Sequence, residues 1–421
     1  MWADWLNTTI GEQVRLQRGI DITKAEQRAG RVPVVSSGGI SSYHDTAHAK
    51  APGVVLGRKG NVGTVFYLAE DYWPHDTSLW VTDFHGNDPR FVYYFFLNFA
   101  DELKTMDVGS ANPALNRNHV HPLKTTWPQK PEQRAITRVL GALDDKIELN
   151  RRMNRTLEEL AAALFRSWFV DFDPVVAKAA GRKPAHLRPE LAALFPAHWQ
   201  DSPLGPIPHG WRVASVGDKV NLTKGVSYRS SELAESAVAL VTLKSIRRGG
   251  GYRSDGLKPF TGKFSPDQIV EPGELIVSQT DVTQAAELVG RAALVNADSR
   301  FKTLVASLDI LIVRPRSAEL GRSFFYTLFG TFDYVSHVVG HANGTTVLHL
   351  DKSAVPTFQF ACPTPAVAEA FQRIVEPWYQ QIANNERESR TLAALRDTLL
   401  PKLLSGELRV KQAEKLVEGH T

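Results

Sequence analysis

PEQRAITRVLGALDDKIELNRRMNRTLEELAAALFRSWF, residues 131–169, reads as one long helix, and the rest of the chain is organised around it. Its apolar residues do not cover a broad face. Ile136, Leu140, Leu143, Ile147, then Leu157, Ala161 and Leu164 recur at alternating steps of four and three, the narrow seam of a coiled coil. Asn150 and Asn154 fall on the same seam. A buried Asn there lowers stability but fixes register and partner number, so the helix expects one defined partner helix.

That partner is encoded further along. Under a shift of 235 positions the seam returns as Phe371, Val375, Trp378, Ile382, Asn385, Ser389, Leu392, Arg396 and Leu399. Ile147, Asn150, Arg155, Thr156, Leu157, Leu160 and Leu164 match Ile382, Asn385, Arg390, Thr391, Leu392, Leu395 and Leu399 without a gap. Upstream, WLNTTIGEQVRLQRG (residues 5–19) aligns without gaps on WRVASVGDKVNLTKG (residues 211–225). Pro52 and Gly53 before VVLGRKGNVG are answered by Pro272 and Gly273 before ELIVSQTDVT, and GSAN at residues 109–112 by GHAN at residues 340–343. Order and spacing are kept, so the chain reads as an internal repeat of a globular domain followed by a long helix.

Within each domain the segments 54–56, 64–68, 275–277 and 308–313 read as strands between Gly, Pro and Asn turns. PRFVYYFFLNFADEL and LGRSFFYTLFGTFDYV carry aromatics at helical spacing and read as packing helices. The division is a strand-rich domain over residues 1–128, a long helix over 129–170, a proline-rich connector over 171–209, a second strand-rich domain over 210–362, a second long helix over 363–409 and a charged, frayed tail over 410–421. LRPELAALFP is one short helix in the connector.

Composition narrows the function. The 421 residues suffice for two or three domains. A net charge of +4 and a sequence pI near 9.0 permit nucleic acid as a partner without demanding it. The single cysteine, Cys362, excludes an internal disulfide and a multi-cysteine zinc site, and reads as a small apolar filler. With no basic region leading into an apolar run at the start, and no apolar run of membrane length, a cytoplasmic protein is expected.

Catalytic motifs fail in turn. No Asn/Asp-Pro-Pro-aromatic loop of an amino-methyltransferase occurs. GLKPFTGKF, from Gly256, has one residue too many for a phosphate loop and Phe264 where Ser or Thr would hold magnesium. HDTAH, at residues 44–48, has metal-like spacing without helical pattern and reads as surface polar residues. GRKGNVG, at residues 57–63, lacks the strand-to-helix setting of a dinucleotide site and makes better sense as a loop near DNA.

Polar turns are where phosphates and base edges would be met, since Arg and Lys bind phosphate or guanine while Asn and Gln pair with adenine. Arg58, Lys59 and Asn61 form one such turn, Asn116 and Arg117 another, and Gln279 stands where the repeat places the first. Lys224, Tyr228, Arg229, Arg247, Arg248 and Arg253 cluster in the second domain, and Asn343 closes GHAN.

As a set, these motifs resemble the specificity subunits of type I restriction-modification systems. GSANPALNRNHV followed by PEQRAITRVLGALDDKIELNRR is similar to that family's junction between target-recognition domain and conserved helix, and FRSWFVDFDPV, ELAALFP and LGPIPHGWRV are similar to its central linker. The resemblance covers nearly the full length. It implies an α+β chain whose two strand-rich target-recognition domains, in tandem repeat, are separated by two long antiparallel coiled-coil helices. Each domain would read half of a split double-stranded DNA sequence. The conserved regions would bind two methyltransferase subunits and, through them, the restriction and translocase subunits. No metal or cofactor is expected here, S-adenosylmethionine, ATP and magnesium belonging to those partners. Pro377 departs from the pattern: inside the second seam it would leave a continuous helix only from about Tyr379. A bipartite DNA-binding adaptor for another nuclease or methyltransferase system would share the repeat, and a neighbouring methyltransferase gene or a copurifying subunit would tell the two apart.

Overall fold

The computed structural model describes residues 5–106, 114–283 and 285–418. Its contacts define two units, one within residues 1–149 and 388–421 and the other within 150–387. The GSAN segment at 109–112 lies outside the described residues. The first long helix spans Lys130–Phe169 and the second Pro365–Leu404.

Each unit contains the same three sheets. In the first, Leu6–Thr9 pairs with Lys124–Trp127. A four-stranded antiparallel sheet has the order Arg15–Arg18, Ser78–Asp83, Gly53–Gly57, Val65–Leu68. A three-stranded sheet has Val32–Ser36 between Gly39–His44 and the parallel Trp73–Pro74. In the second unit Arg212–Ser215 pairs with Gln359–Cys362. The four-stranded order is Val220–Lys224, Ile310–Pro315, Leu275–Ser278, Ala292–Leu294. Val238–Val241 lies between Lys258–Pro259 and the parallel Thr303–Ala306.

The strands Gly53–Gly57 and Leu275–Ser278 are buried along their whole length because both of their faces are covered. Side chains alternate across a strand, so Val54 and Leu56 join the cluster under the aromatic helix Pro89–Asn98 while Val55 packs with Val35 and Tyr72 on the other face. Leu275 and Val277 join one cluster and Ile276 another in the same way. The repeated Gly19 and Gly225 also have one cause: an added Cβ would lie 2.1 Å from the carbonyl oxygen of His75 or of Ser307, both fixed backbone. Where the repeat aligns Glu12 with Asp218, each carboxylate accepts the backbone N–H three residues earlier, from Thr9 at 2.9 Å and from Ser215 at 3.1 Å.

On the long helices the structure buries Ile136, Leu140, Leu143, Ile147, Asn150, Asn154, Phe371, Val375, Ile382, Asn385, Leu392 and Leu399, and half-buries Leu157, Leu164 and Trp378. Four expectations are corrected. The second helix runs through Pro377 unbroken, because that residue is on the exposed face, where the carbonyl it leaves without a donor can meet water, while Val375 and Tyr379 hold the inner face in the core. The tail is not wholly frayed: Val410–Glu418 is helical, with Ala413 and Val417 buried and Glu414 paired to Arg138. The connector holds a second helix, Asp173–Ala179, besides the short Pro189–Ala192. His44 of HDTAH is buried, its Nδ1 accepting the Arg28 amide at 3.0 Å, so it is a core histidine and not a surface group. Among the described residues no helix is long and apolar enough to cross a membrane.

Candidate DNA-reading surfaces and helix attachments

In the first unit the buried strand Gly53–Gly57 delivers the chain into the turn bearing Arg58, Lys59 and Asn61. Lys59 and Asn61 are exposed, and Gly60 and Gly63 supply the positive φ angles, 77° and 80°, that close it. Arg58 is half-buried: burial and the neighbouring Arg18 charge lower its pKa, and its guanidinium donates to the Asp76 carbonyl at 3.3 Å. The Leu115 amide donates to the Arg58 carbonyl at 2.9 Å, which brings the second polar turn beside the first. There the Asn116 side chain caps Arg117–Val120 by accepting the Asn118 amide, leaving Arg117 exposed.

Matching hydrogen bonds identify the corresponding position in the second unit. Arg58 donates through its amide to Thr77, and Gln279 to Asp309; Leu115 donates to the carbonyl of Arg58, and Leu350 to that of Gln279. Thr280–Asp281, Leu348–Leu350 and Ala342–Asn343 form a small sheet that places Gln279 near the exposed Asn343. The Gln279 amide side chain is engaged by the Leu308 carbonyl at 3.0 Å. Asp281 gathers nearby backbone amides around its carboxylate. Burial pushes that carboxyl up, but hydrogen bonds from the amides of Leu288, Thr283 and Val289 and from the Thr283 hydroxyl outweigh the effect and hold its pKa below the usual range.

A concavity of about 600 Å³ opens in the second domain. Tyr228, Arg248 and Arg253 line it, joined by Lys244 and Lys258, which sequence reasoning missed: Lys244 stands in no glycine-marked turn, and Lys258 lies in GLKPFTGKF, which was weighed only as a phosphate loop. Lys244, Arg248, Arg253 and Lys258 outnumber the acids Asp255 and Asp309 in its lining, although Asp255 pairs with Arg253 and Glu287 with Arg248 at 3.3 Å. Lys224 and Arg229 are exposed but do not line it. Arg247 points elsewhere: its guanidinium pairs with Glu386 on the second long helix.

Each unit also ties its aromatic helix to a long helix. In the first, Tyr94 donates to Asp144 at 2.6 Å, Arg396 to the other oxygen of Asp144 at 2.7 Å, and Arg90 to Asp145 at 2.7 and 3.1 Å. Burial works against charge on Arg90 and Arg396, yet Asp145 and Asp144 respectively outweigh it and raise both pKa values. In the second unit the hydroxyls of Thr327 and Tyr379 are 2.7 Å apart, and the Tyr326 ring meets Tyr379 edge-on at 5.1 Å. Within it the two helices are also joined by Asn385, whose side chain donates to the Asn154 side chain at 2.8 Å, while Asn154 donates to the Ile382 carbonyl at 3.4 Å. Asp21, His75 and Asp76 are close enough to share a cation, but the Arg18 guanidinium already neutralises Asp76 at 2.7 Å.

Each domain thus carries polar turns on its sheets and is fastened to a long helix. Known proteins resemble the chain over much of its length. Residues 3–159 match the type I restriction modification DNA specificity domain. The MjaIX specificity subunit of Methanocaldococcus jannaschii is 25% identical over 328 residues, covering 77% of this chain and 70% of that protein. The HindI specificity subunit of Haemophilus influenzae is 25% identical over 339 residues, covering 70% and 71%. A crystal structure of an S subunit from M. genitalium shares the fold, with TM-score 0.57 and 16% identity over 95% of this chain and 96% of that one. The chain is thus similar to specificity subunits of type I restriction enzymes over most of its length, and residues 3–159 carry the match to the DNA specificity domain.

Proposed function

We propose that the chain reads a split double-stranded DNA target, one half with each domain, and scaffolds two methyltransferase subunits together with restriction and translocase subunits. The observation that carries this is the strand-for-strand correspondence of the two strand-rich domains, each with its own polar turns and each followed in the chain by a long helix. Two copies of one reading device in one chain suit a target in two parts. In this reading the long helices form an antiparallel coiled coil that separates the domains, and their outward faces take the methyltransferases. Arg58, Lys59, Asn61 and Arg117 serve the first half-site; Tyr228, Arg248, Arg253 and Asn343 serve the second, with Lys224 and Arg229 on the DNA backbone. Methyl transfer, ATP and magnesium chemistry belong to the partners.

The test is to exchange residues 210–362 for the matching domain of a relative and to sequence the methylated motif produced with the partner methyltransferase. One half of the motif should change and the other stay, because base contacts reside in the domains. A change in both halves, or methylation that no longer requires this chain, defeats the reading.

A further inference from the structure

We propose that Glu386, on the second long helix, is a positioning residue for DNA reading, and that Arg247 is its grip on the second domain and not a DNA contact. This rests on the reading of the second domain as a half-site reader. The two residues are far apart in sequence yet directly paired, with the Glu386 side chain 14% exposed, and its other oxygen accepts the Asn296 side-chain amide. One carboxylate thus holds two separate segments of the domain against the helix.

The stretch after Arg247 makes the contact more than a fastening. Arg248 lines the basic concavity, and Gly249, Gly250 and Gly251 all have positive φ, at 83°, 114° and 88°. The loop is closed by hydrogen bonds from the Arg247 amide to the Gly251 carbonyl and from the Gly250 amide back to Arg247. Its outer anchors are Gly249 to the Glu287 carbonyl and Gly251 to the Ala292 carbonyl, while Arg253 donates to Ser245. Three glycines in a row have little stiffness of their own, so the loop's position is set by these hydrogen bonds and by what Arg247 holds. One end is clamped to the helix by Arg247 and Glu386, and the next residue presents its guanidinium to the reading surface. Releasing Glu386 removes one of the holds on the turn that presents Arg248 and leaves it only the contacts to Glu287 and the loop's own bonds. A charge aimed at one phosphate or base edge then becomes a charge that several sequences can satisfy.

The experiment uses the whole chain assembled with its methyltransferase, and measures methylation of the cognate site against sites altered in the first or the second half. Glu386→Ala should lower discrimination at the second half-site by about tenfold, the scale of one misread base pair, and leave the first half-site as it was. Glu386→Gln, which can still accept from Arg247, should recover most of the loss. Arg247→Ala should reproduce the second-half defect with the salt dependence of DNA binding unchanged, whereas a lost phosphate contact would weaken binding to all sequences and reduce the salt slope by about 1. Equal loss in both halves, or a reduced salt slope, overturns the proposal. So does wild-type discrimination by a Glu386→Ala complex. If wild type itself shows no split-sequence preference, it is the reading of the domains that has failed.

Discussion

The two units solve one problem, fastening an aromatic helix to a long helix, with opposite chemistry. Arg90 and Tyr94 of the first aromatic helix correspond to Arg322 and Tyr326 of the second, and the shift of 235 that aligns the long helices puts Tyr379 opposite Asp144 and Gln380 opposite Asp145. The first unit therefore uses a carboxylate shared by a phenol and a guanidinium, and a second carboxylate for Arg90. In the second, a phenol replaces the shared carboxylate, Arg322 turns to within 4.0 Å of Glu274, and aromatic packing takes over, with Phe324 against Phe165, Phe169 and Phe371. A repeated backbone constrains where an attachment is made, not what makes it. The difference should be visible in stability, since charged networks fail badly when one member is removed whereas apolar contacts fail in proportion to the atoms lost.

The sharpest break of the comparison is Asp144→Ala. It leaves the half-buried Arg396 and the buried Tyr94 hydroxyl without this carboxylate, and should destabilise the first unit by about 2–3 kcal/mol. The equivalent change in the second unit, Tyr379→Phe, removes one hydroxyl from Thr327, which keeps its bond to the Ser323 carbonyl at 2.7 Å, and should cost about 1 kcal/mol. Urea unfolding of the full chain measures both. Equal losses would mean that charge is not what distinguishes the two attachments.

This contrast marks how far the sequence could be read. The seams were legible because apolar burial on a helix repeats every three or four residues, and Ile136 through Ile147 and Phe371 through Ile382 are in the core. Gly19 and Gly225, aligned in sequence, were legible as positions with one physical solution, since each sits against a backbone oxygen. The attachments were not. Asp144 and Tyr379 align in sequence but share no chemistry, so no identity betrays their common task, and Asp144 and Asp145 read simply as helix acids. Arg247 and Arg248 are indistinguishable as neighbours in a basic loop, yet one faces a helix and the other a concavity, a distinction that depends on Glu386, far along the chain. Pro377 misled for a related reason: its effect depends on which face it occupies, and only packing decides that.

A second difference concerns the polar turns. Where the first unit closes its turn with Gly60 and Gly63, the second uses the Asp281 carboxylate as a hub for backbone amides. Asp281→Asn should cost about 2 kcal/mol at neutral pH, because an amide oxygen accepts less strongly and its NH2 cannot accept at all. The Asp281 pKa lies below that of the unfolded chain, about 3.9, so its contribution is complete above that value and disappears as pH falls through the folded pKa. The gap between variant and wild type should accordingly close in acid. A gap that widens on acidification, or is absent at neutral pH, would show that the hub does not hold the turn.

The smallest effect tests whether the outer ion pair of the first attachment matters at all. Arg90 binds Asp145 through two nitrogens and also donates to the Gly141 carbonyl at 3.1 Å, yet the Asp145 side chain is 70% exposed. Exposed pairs contribute little because water screens the attraction and two side chains must be immobilised, so Asp145→Asn should cost under about 0.5 kcal/mol. Arg90 would keep its carbonyl partner and its place at 5.8 Å over the Tyr67 ring. The residual effect is electrostatic in character. The small difference should shrink further between about 0.05 and 0.5 M salt, as the Debye length falls below the scale of the cluster, while the Asp144→Ala deficit, set by the half-buried pair, should persist. If the two substitutions respond to salt alike, Asp144 is no better shielded than Asp145, and the first attachment is an ordinary surface network rather than a half-buried charged joint.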